Sequence, residues 1–187
     1  MNPHTEQSRT SAPGFAALGL PDHLINALAK QGITDPFPIQ TAAIPAAING
    51  RDVLGRGRTG SGKTVAFAVP TVMALDASGK RRQVLRPRAL VLVPTRELAR
   101  QVAETFAPLA RAAGMTVTTV FGGVGYGPQL SALRKGVDVL IATPGRLEDL
   151  IKSGNSNLDA VEVAVLDEAD HMADLGFLPP VKRLLDA

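Results

Sequence analysis

The chain has 187 residues, 45% of them hydrophobic, which predicts one globular domain. It contains no cysteine, which excludes a disulfide framework and any cysteine-ligated metal site. A formal net charge of +3 permits nucleic-acid binding without requiring it, and aromatic residues at 4% make a base-stacking platform a poor expectation. No apolar run approaches the roughly 18 residues of a membrane-spanning helix, and the start of the chain lacks a hydrophobic signal core. We therefore expect a cytoplasmic protein with no membrane partner.

The hydrophobic pattern predicts alternating strands and helices after a disordered lead-in at 1–13. The predicted helices are 21–31, 38–49, 65–75, 95–113, 128–135 and 144–151. The predicted strands are 52–55, 89–93, 116–121, 137–142 and 161–166. This alternation is typical of an α/β fold, with a parallel sheet that carries helices on both faces.

A basic segment at 76–88 connects the third predicted helix to the second predicted strand. Its cationic residues are Lys80, Arg81, Arg82, Arg86 and Arg88. No aromatic residue interrupts the cluster, so the pattern favours a solvated basic loop over an RNA-binding segment.

The segment 57–64 reads Gly-Arg-Thr-Gly-Ser-Gly-Lys-Thr, which is the phosphate-loop pattern. Glycines let successive backbone N–H groups point into one concavity, and the helix that follows offers its positive end to an anion. Lys63 would place a charge on the phosphates, and Thr64 a hydroxyl on Mg²⁺. The alternative is a glycine- and serine-rich loop that merely precedes a lysine. The predicted strand before the loop and helix after it disfavour that alternative.

A second motif follows the predicted strand 161–166, which is apolar and β-branched enough to be a buried parallel strand. The chain continues as Asp167-Glu168-Ala169-Asp170. Asp167 would lie at the carboxyl end of the sheet, where α/β proteins bind ligands and where one carboxylate suffices for hydrated Mg²⁺. Glu168 is the candidate to orient or deprotonate water. Alternatively, acidic residues simply favour a helix N-terminus. Taken with the phosphate loop, the motif indicates a nucleoside triphosphatase.

With these two motifs in this order, the chain resembles the DEAD-box family of ATP-dependent RNA helicases from about Phe15 onward. The resemblance implies a RecA-like P-loop NTPase domain over 14–187 that uses ATP and Mg²⁺. It assigns catalysis to Lys63, Asp167 and Glu168, and the metal to Thr64 and Asp167. Asp170 would couple the ATP site to the rest of the helicase.

The resemblance extends to the nucleotide contacts. The segment before Gln40 is similar to the family's glutamine motif, and a glutamine carboxamide can read an adenine edge with one donor and one acceptor. Phe15 stands where the family has an isolated aromatic, whereas Phe37 replaces a usual threonine or serine. The expected nucleotide-binding residues are Phe15, Gln40, Arg58, Thr59, Gly60, Ser61, Gly62, Lys63 and Thr64.

Three further segments match family motifs that hold one RNA strand by its backbone. They are Pro94, Thr95 and Arg96; Gly122 and Gly123; and Thr143, Pro144, Gly145 and Arg146. Each is ordinary turn chemistry when taken alone. Together they predict sequence-independent, salt-sensitive contact with single-stranded or duplex RNA.

Family members continue with a strand that carries Ser-Ala-Thr and with a second RecA-like domain. The resemblance therefore predicts that a strand is missing from the sheet, between 52–55 and 161–166, and that the second domain is absent. We expect the isolated chain to bind nucleotide at best weakly and to unwind nothing. Two alternatives stay open: part of a DNA-directed helicase or translocase, and a non-catalytic RNA-binding module.

Overall fold

A computed structural model describes residues 14–58 and 60–186, so the predicted lead-in 1–13, Thr59 and Ala187 lie outside it. Its sheet has four parallel strands: β1 (Ala89–Leu92), β2 (Val117–Val120), β3 (Val139–Ala142) and β4 (Val163–Leu166). The strand order is β2-β3-β1-β4, and Ala89 of β1 lies opposite Val139 on one side and Val163 on the other. Four of the five predicted strands are thus confirmed.

The helices alternate with the strands as predicted. A 3₁₀ helix (Phe15–Leu18) comes first. The α-helices are α1 (Asp22–Ala29), α2 (Pro38–Ile48), α3 (Lys63–Ser78), α4 (Arg96–Ala112), α5 (Tyr126–Lys135), α6 (Pro144–Lys152), α7 (Ala169–Asp174) and α8 (Leu178–Leu185). The 3₁₀ helix, α7 and α8 were not predicted. None of the helices in the described part of the chain is long and apolar enough to cross a membrane.

The sheet separates two hydrophobic cores, because successive strand residues point to opposite faces. Ala89 and Val91 of β1 face one core, which is completed by side chains of the 3₁₀ helix and of α1, α2, α3 and α4. Leu90 and Leu92 face the other, which is completed by α5, α6, α7 and α8. The predicted parallel sheet with helices on both faces is confirmed.

The predicted strand 52–55 is wrong. Residues 51–58 form no regular element, and the side chains of Val53 and Leu54 are 44% and 91% exposed. A strand needs a neighbour for its backbone hydrogen bonds, and no other strand lies beside this segment in the described sheet. The segment also does not pair with β4. The missing strand between them stays a prediction.

The prediction of a buried parallel strand at 161–166 is wrong in part. Only Val163–Leu166 form β4, which is an edge strand paired with β1 alone among the described strands. Val163 and Val165 pack partly against the first core, whereas Ala164 and Leu166 are exposed on the other face. The strand is apolar on both faces, yet its surroundings bury only one.

A buried ionic network joins the amino-terminal ends of the strands. The Arg88 guanidinium donates from Nε to Glu162 Oε1 (2.9 Å) and from Nη1 to Asp138 Oδ1 (3.4 Å). Asp138 Oδ2 also accepts from the backbone N–H of Thr116 (2.9 Å). Arg88, Thr116, Asp138 and Glu162 each directly precede one of the four strands. The cluster at 76–88 thus contains one buried structural arginine, which its description as a solvated loop missed.

Candidate nucleotide and RNA site

The predicted site residues gather at the opposite, carboxyl-terminal end of the sheet. Thr95, Gly122, Thr143 and Asp167 follow β1, β2, β3 and β4 within a few residues of the strand ends. In a parallel sheet these ends lie along one edge, where open α/β folds bind their ligands. The structure therefore brings together segments that are up to about 70 residues apart in the chain.

The phosphate loop leads into α3 as predicted, because the helix starts at Lys63. Gly60 and Gly62 have left-handed φ angles of +80° and +83°, which side chains rarely adopt. A Cβ on Gly62 would also lie 2.4 Å from Gln40 Nε2. The Ser61 hydroxyl is buried and has no hydrogen-bond partner within the described residues. The loop therefore offers an unused polar atom and a compact backbone cradle.

Gln40 connects this cradle to the start of α2. The side chain is fully buried, with Oε1 accepting from the Phe37 N–H (3.0 Å) and Nε2 donating to Gly62 O (3.0 Å). One amide hydrogen and one oxygen lone pair are not used by these bonds. The predicted adenine contact of Gln40 stays a prediction. The structure adds a second function, because Gln40 holds the phosphate loop in place.

The other predicted nucleotide contacts have mixed placements. Phe15 is 2% exposed and packs into the first core from the 3₁₀ helix. Arg58 is exposed on the phosphate loop, and Thr59 lies outside the described residues. Direct contact of these three side chains with a nucleotide stays a prediction.

Asp167 is the buried carboxylate of the site. Its side chain is 8% exposed, and its N–H continues the pairing of β4 with β1 by donating to Leu92 O (3.0 Å). Burial raises the pKa of Asp167 above its ordinary value, and the Lys63 charge opposes that rise. Glu168 and Asp170 add smaller upward contributions to this pKa. The Lys63 charge thus acts on Asp167 across the contact between α3, which begins at Lys63, and β4, which ends just before Asp167.

Glu168 occupies an unusual backbone conformation just before α7. Its φ and ψ of 52° and 50° lie in the left-handed region, which costs an ordinary residue about 1–2 kcal/mol. The Glu168 Oε2 lies 3.2 Å from Nδ1 of His171, one turn into the helix. Sequence reasoning missed His171, although its place three residues after Glu168 is the spacing at which helical side chains meet.

The three predicted RNA segments converge beside the nucleotide residues. Thr95 caps α4 by accepting from the Leu98 N–H (3.2 Å). The neighbouring Arg96 reaches the loop after β2, where its Nη1 lies 3.5 Å from the ideal Cβ position of Gly123. The same loop accepts a hydrogen bond from Arg146 Nη2 at Val124 O (3.0 Å). Guanidinium groups from two different helices thus flank the predicted glycine pair.

Two aromatic rings support this basic edge, and sequence reasoning missed both. The Arg146 guanidinium carbon lies 4.0 Å from the centre of the Tyr126 ring, and that of Arg100 lies 5.2 Å from the centre of the Phe121 ring. Both rings flank the glycine pair in sequence. The low aromatic content pointed away from aromatic platforms, yet each ring here packs against an arginine.

The parallel sheet and the glycine cradle at the start of α3 define a P-loop nucleotide-binding domain of the α/β class. The sequence model of DEAD/DEAH box helicases matches residues 37–187, and the chain belongs to this family. The resemblance stated from the two motifs is confirmed.

Named relatives and a solved structure agree with this membership. The chain is 42% identical over 171 residues to DEAD-box ATP-dependent RNA helicase 30 of Arabidopsis thaliana, covering 91% of this chain and 29% of that protein. It is 44% identical over 181 residues to ATP-dependent RNA helicase RhlB of Haemophilus influenzae, covering 96% of this chain and 44% of that protein.

The crystal structure of the RNA helicase Prp28 from Chaetomium thermophilum bound to ADP superposes with a TM-score of 0.84 at 40% identity, over 91% of this chain and 42% of that one. The predicted RecA-like fold is confirmed. The chain spans less than half the length of each of these relatives.

Proposed function

We propose that this chain is the ATP-binding half of a DEAD-box RNA helicase, which couples ATP binding and hydrolysis to clamping and unwinding of RNA. One observation carries the proposal. Helix α3, which begins at the phosphate-loop lysine, packs on β4, and the buried Asp167 follows β4 at the same sheet edge on which Arg96, Gly123 and Arg146 converge. A nucleotide and a polyanion can therefore be held side by side.

The residues present fit a nucleotide with Mg²⁺. The left-handed glycines and the unpartnered Ser61 hydroxyl suit phosphate oxygens, and hard oxygen donors such as Thr64 and Asp167 suit Mg²⁺. Bound Mg²⁺ would neutralise charge that develops on the phosphates. The raised pKa of Asp167 favours its protonated form in the free chain, so Lys63 and a cation would both promote ionisation of this carboxyl.

The roles of the remaining residues follow from their positions. Lys63, at the first turn of α3, adds its charge to the helix N-terminus that faces the phosphates. Glu168 orients the attacking water and accepts its proton, and its left-handed backbone is the strained feature of the site. Asp170, exposed in the first turn of α7, couples nucleotide binding at this site to the second RecA-like domain of a complete helicase.

RNA is held through its backbone. Thr95, Arg96, the glycine pair, Thr143 and Arg146 supply hydroxyls, exposed N–H groups and guanidinium groups, which recognise phosphates and sugars without reading bases. RNA affinity should therefore fall steeply with salt and depend little on sequence. We place this activity in the cytoplasm.

The test uses the full-length gene product and measures ATP turnover alone, with single-stranded RNA, and with single-stranded DNA of equal sequence. We expect RNA to stimulate turnover and Glu168→Gln to lower kcat by about 10²–10⁴-fold, the usual contribution of a general base. Glu104→Gln, which removes an exposed carboxylate on α4, is the matched control and should leave kcat unchanged.

Each alternative has its own outcome in this assay. Equal stimulation by DNA and RNA would indicate a DNA-directed helicase or translocase. RNA binding without turnover in the wild-type protein would indicate a non-catalytic RNA-binding module. Full activity of Glu168→Gln would remove Glu168 from catalysis.

A further inference from the structure

Tyr126 directly follows the glycine loop (residues 121–125) and contacts helix α6. It is the first residue of α5, and its ring stacks on the Arg146 guanidinium at 4.0 Å between ring centre and guanidinium carbon. Its hydroxyl donates to Asp149 Oδ2 (3.4 Å), one turn further along α6. One side chain thus joins the loop that carries Gly122 and Gly123 to the helix that carries Arg146.

The glycine loop and Tyr126 hold the Arg146 guanidinium from two directions. The ring of Tyr126 covers one face, and the backbone carbonyl of Val124 accepts from Nη2 at 3.0 Å. The second terminal nitrogen, Nη1, is buried with no hydrogen-bond partner among the residues described. Within that part of the chain no carboxylate lies within ion-pair distance of Arg146, unlike Arg88 or Arg183. Its charge is therefore fixed in place but not neutralised by the protein.

We infer that Tyr126 is a positioning residue for RNA, which acts by holding Arg146 ready for a backbone phosphate. The inference rests on the proposed function and adds a residue outside the motifs that predicted it. An arginine side chain loses about 2 kcal/mol of rotamer entropy when it is fully ordered. Stacking on Tyr126 already orders Arg146 in the free chain. Less of this entropy is then lost when RNA binds, so the contact between Arg146 and the phosphate becomes stronger.

The ring has no large role in the hydrophobic core that would explain its position. The Tyr126 side chain is 43% exposed, and it belongs to neither core. Replacement of the ring should therefore leave the fold intact. Direct stacking of a base on Tyr126 would be a different role, and the experiment separates the two.

The experiment measures the affinity of the full-length gene product for a fluorescent oligouridylate, with Mg²⁺ and a non-hydrolysable ATP analogue, over a series of KCl concentrations. The variants are Tyr126→Leu, Tyr126→Phe, Arg146→Gln and the double variant Tyr126→Leu/Arg146→Gln. Tyr126→Phe is the matched control, because it keeps the ring and loses only the long hydroxyl contact. Binding of the ATP analogue alone reports whether each variant is folded.

We expect Tyr126→Leu to weaken RNA binding about two- to fivefold, which corresponds to an arginine–aromatic stack at an exposed site. Tyr126→Phe should bind like wild type. The double variant should bind no more weakly than Arg146→Gln. Arg146→Gln should reduce the slope of log affinity against log salt by about 0.7, as loss of one single-strand phosphate contact does. Tyr126→Leu should also reduce this slope, by no more than Arg146→Gln does.

Three outcomes would overturn the inference: unchanged affinity in Tyr126→Leu, equal losses in Tyr126→Leu and Tyr126→Phe, or additive losses in the double variant. The last would mean that the ring contacts RNA independently of Arg146. Wild-type protein that binds no RNA would instead refute the proposed function.

The stack itself has a separate test, because the 187-residue chain has one tyrosine and no tryptophan. Its tyrosine emission should change in Arg146→Gln, and unchanged emission would contradict the stack.

Discussion

At the residue scale, Asp167 is a carboxylate that suits a metal site but whose burial lowers the stability of the free chain. Burial raises its pKa, so the folded chain retains a proton that the unfolded chain releases near the ordinary value of 3.8. Where the folded state binds more protons than the unfolded state, stability falls as pH rises. Ionised Asp167 therefore destabilises the free chain at neutral pH, and Lys63, the backbone N–H of Glu168 and a bound cation would offset this effect.

We predict that Asp167→Asn raises the thermal midpoint of the ligand-free chain at neutral pH and abolishes Mg²⁺-dependent ATP turnover in the full-length protein. The gain should shrink as pH falls and vanish below about 3.8, where Asp167 is protonated in both the folded and unfolded states. Thermal unfolding at a series of pH values measures this. Asp174→Asn, an exposed carboxylate at the end of α7, is the control. A variant less stable than wild type at neutral pH would contradict the prediction.

The sequence was informative for residues whose chemistry depends on their neighbours along the chain. Gly62, Lys63 and Asp167 could be assigned because a phosphate loop and a strand-end carboxylate are local patterns. Tyr126 and His171 could not, because their partners are set by how the loop packs on α6 and by the unusual backbone at Glu168. Gln40 was singled out as an adenine contact, whereas its burial and its bond to Gly62 required the fold.

At the element scale, prediction succeeded where apolar periodicity and burial agree. Strands β1 and β3 are continuous apolar runs and are buried on both faces, as expected for central parallel strands. The segment 52–55 fails because a strand also needs a neighbour, which composition does not report. Helix α7 was missed because its six residues are too few to show a helical period, and α8 was missed because Pro179-Pro180 is typical of a turn.

The amino ends of the strands contain a pattern that sequence reasoning could have used. An arginine, a threonine and two carboxylates each directly precede a strand, so parallel pairing must bring them together. Arg88 is 5% exposed and bonds to both Asp138 and Glu162. Such a network adds little net stability over an apolar core, but removal of its central cation leaves Asp138 and Glu162 with only the more exposed Arg82 and Lys80 as ionic partners.

We predict that Arg88→Met lowers the free energy of unfolding by about 3–5 kcal/mol, the usual cost of breaking a buried ion pair. Urea unfolding at neutral pH measures this. The control is Arg183→Gln, which removes an exposed arginine paired with Glu148 and should leave the urea midpoint nearly unchanged. A loss below about 1 kcal/mol in Arg88→Met would show that water and the remaining partners Arg82 and Lys80 compensate both carboxylates, and would contradict the prediction.

At the scale of the whole molecule, the two ends of the sheet have different roles. The amino ends hold the ionic network of Arg88, whereas the carboxyl ends hold the unpartnered Ser61 hydroxyl, the unpartnered Arg146 Nη1 and the buried Asp167, whose pKa is raised. Unused polar groups are costly in a folded chain, and they are tolerated at sites where a ligand satisfies them. Substitutions at the amino ends should therefore change stability, and those at the carboxyl ends should change binding.

We predict that Asp170 couples the two binding events without being needed for either. Asp170 is exposed in the first turn of α7, and among the described residues its carboxylate accepts no hydrogen bond from another side chain. Asp170→Asn in the full-length protein should leave the Kd values for the ATP analogue alone and for RNA alone within about twofold. RNA stimulation of ATP turnover should fall about tenfold, within the 1–3 kcal/mol range of coupling free energies.

The measurement compares ATP turnover with and without saturating RNA, together with the two separate affinities. Asp174→Asn is the matched control, because it removes an exposed aspartate from the other end of the same helix. If Asp170 acts only through the general negative charge of α7, both variants will lose stimulation equally. If it is part of the ATP site, affinity for the analogue will fall in Asp170→Asn. Loss of stimulation in Asp170→Asn alone, with both affinities kept, is the result that a dedicated coupling residue requires.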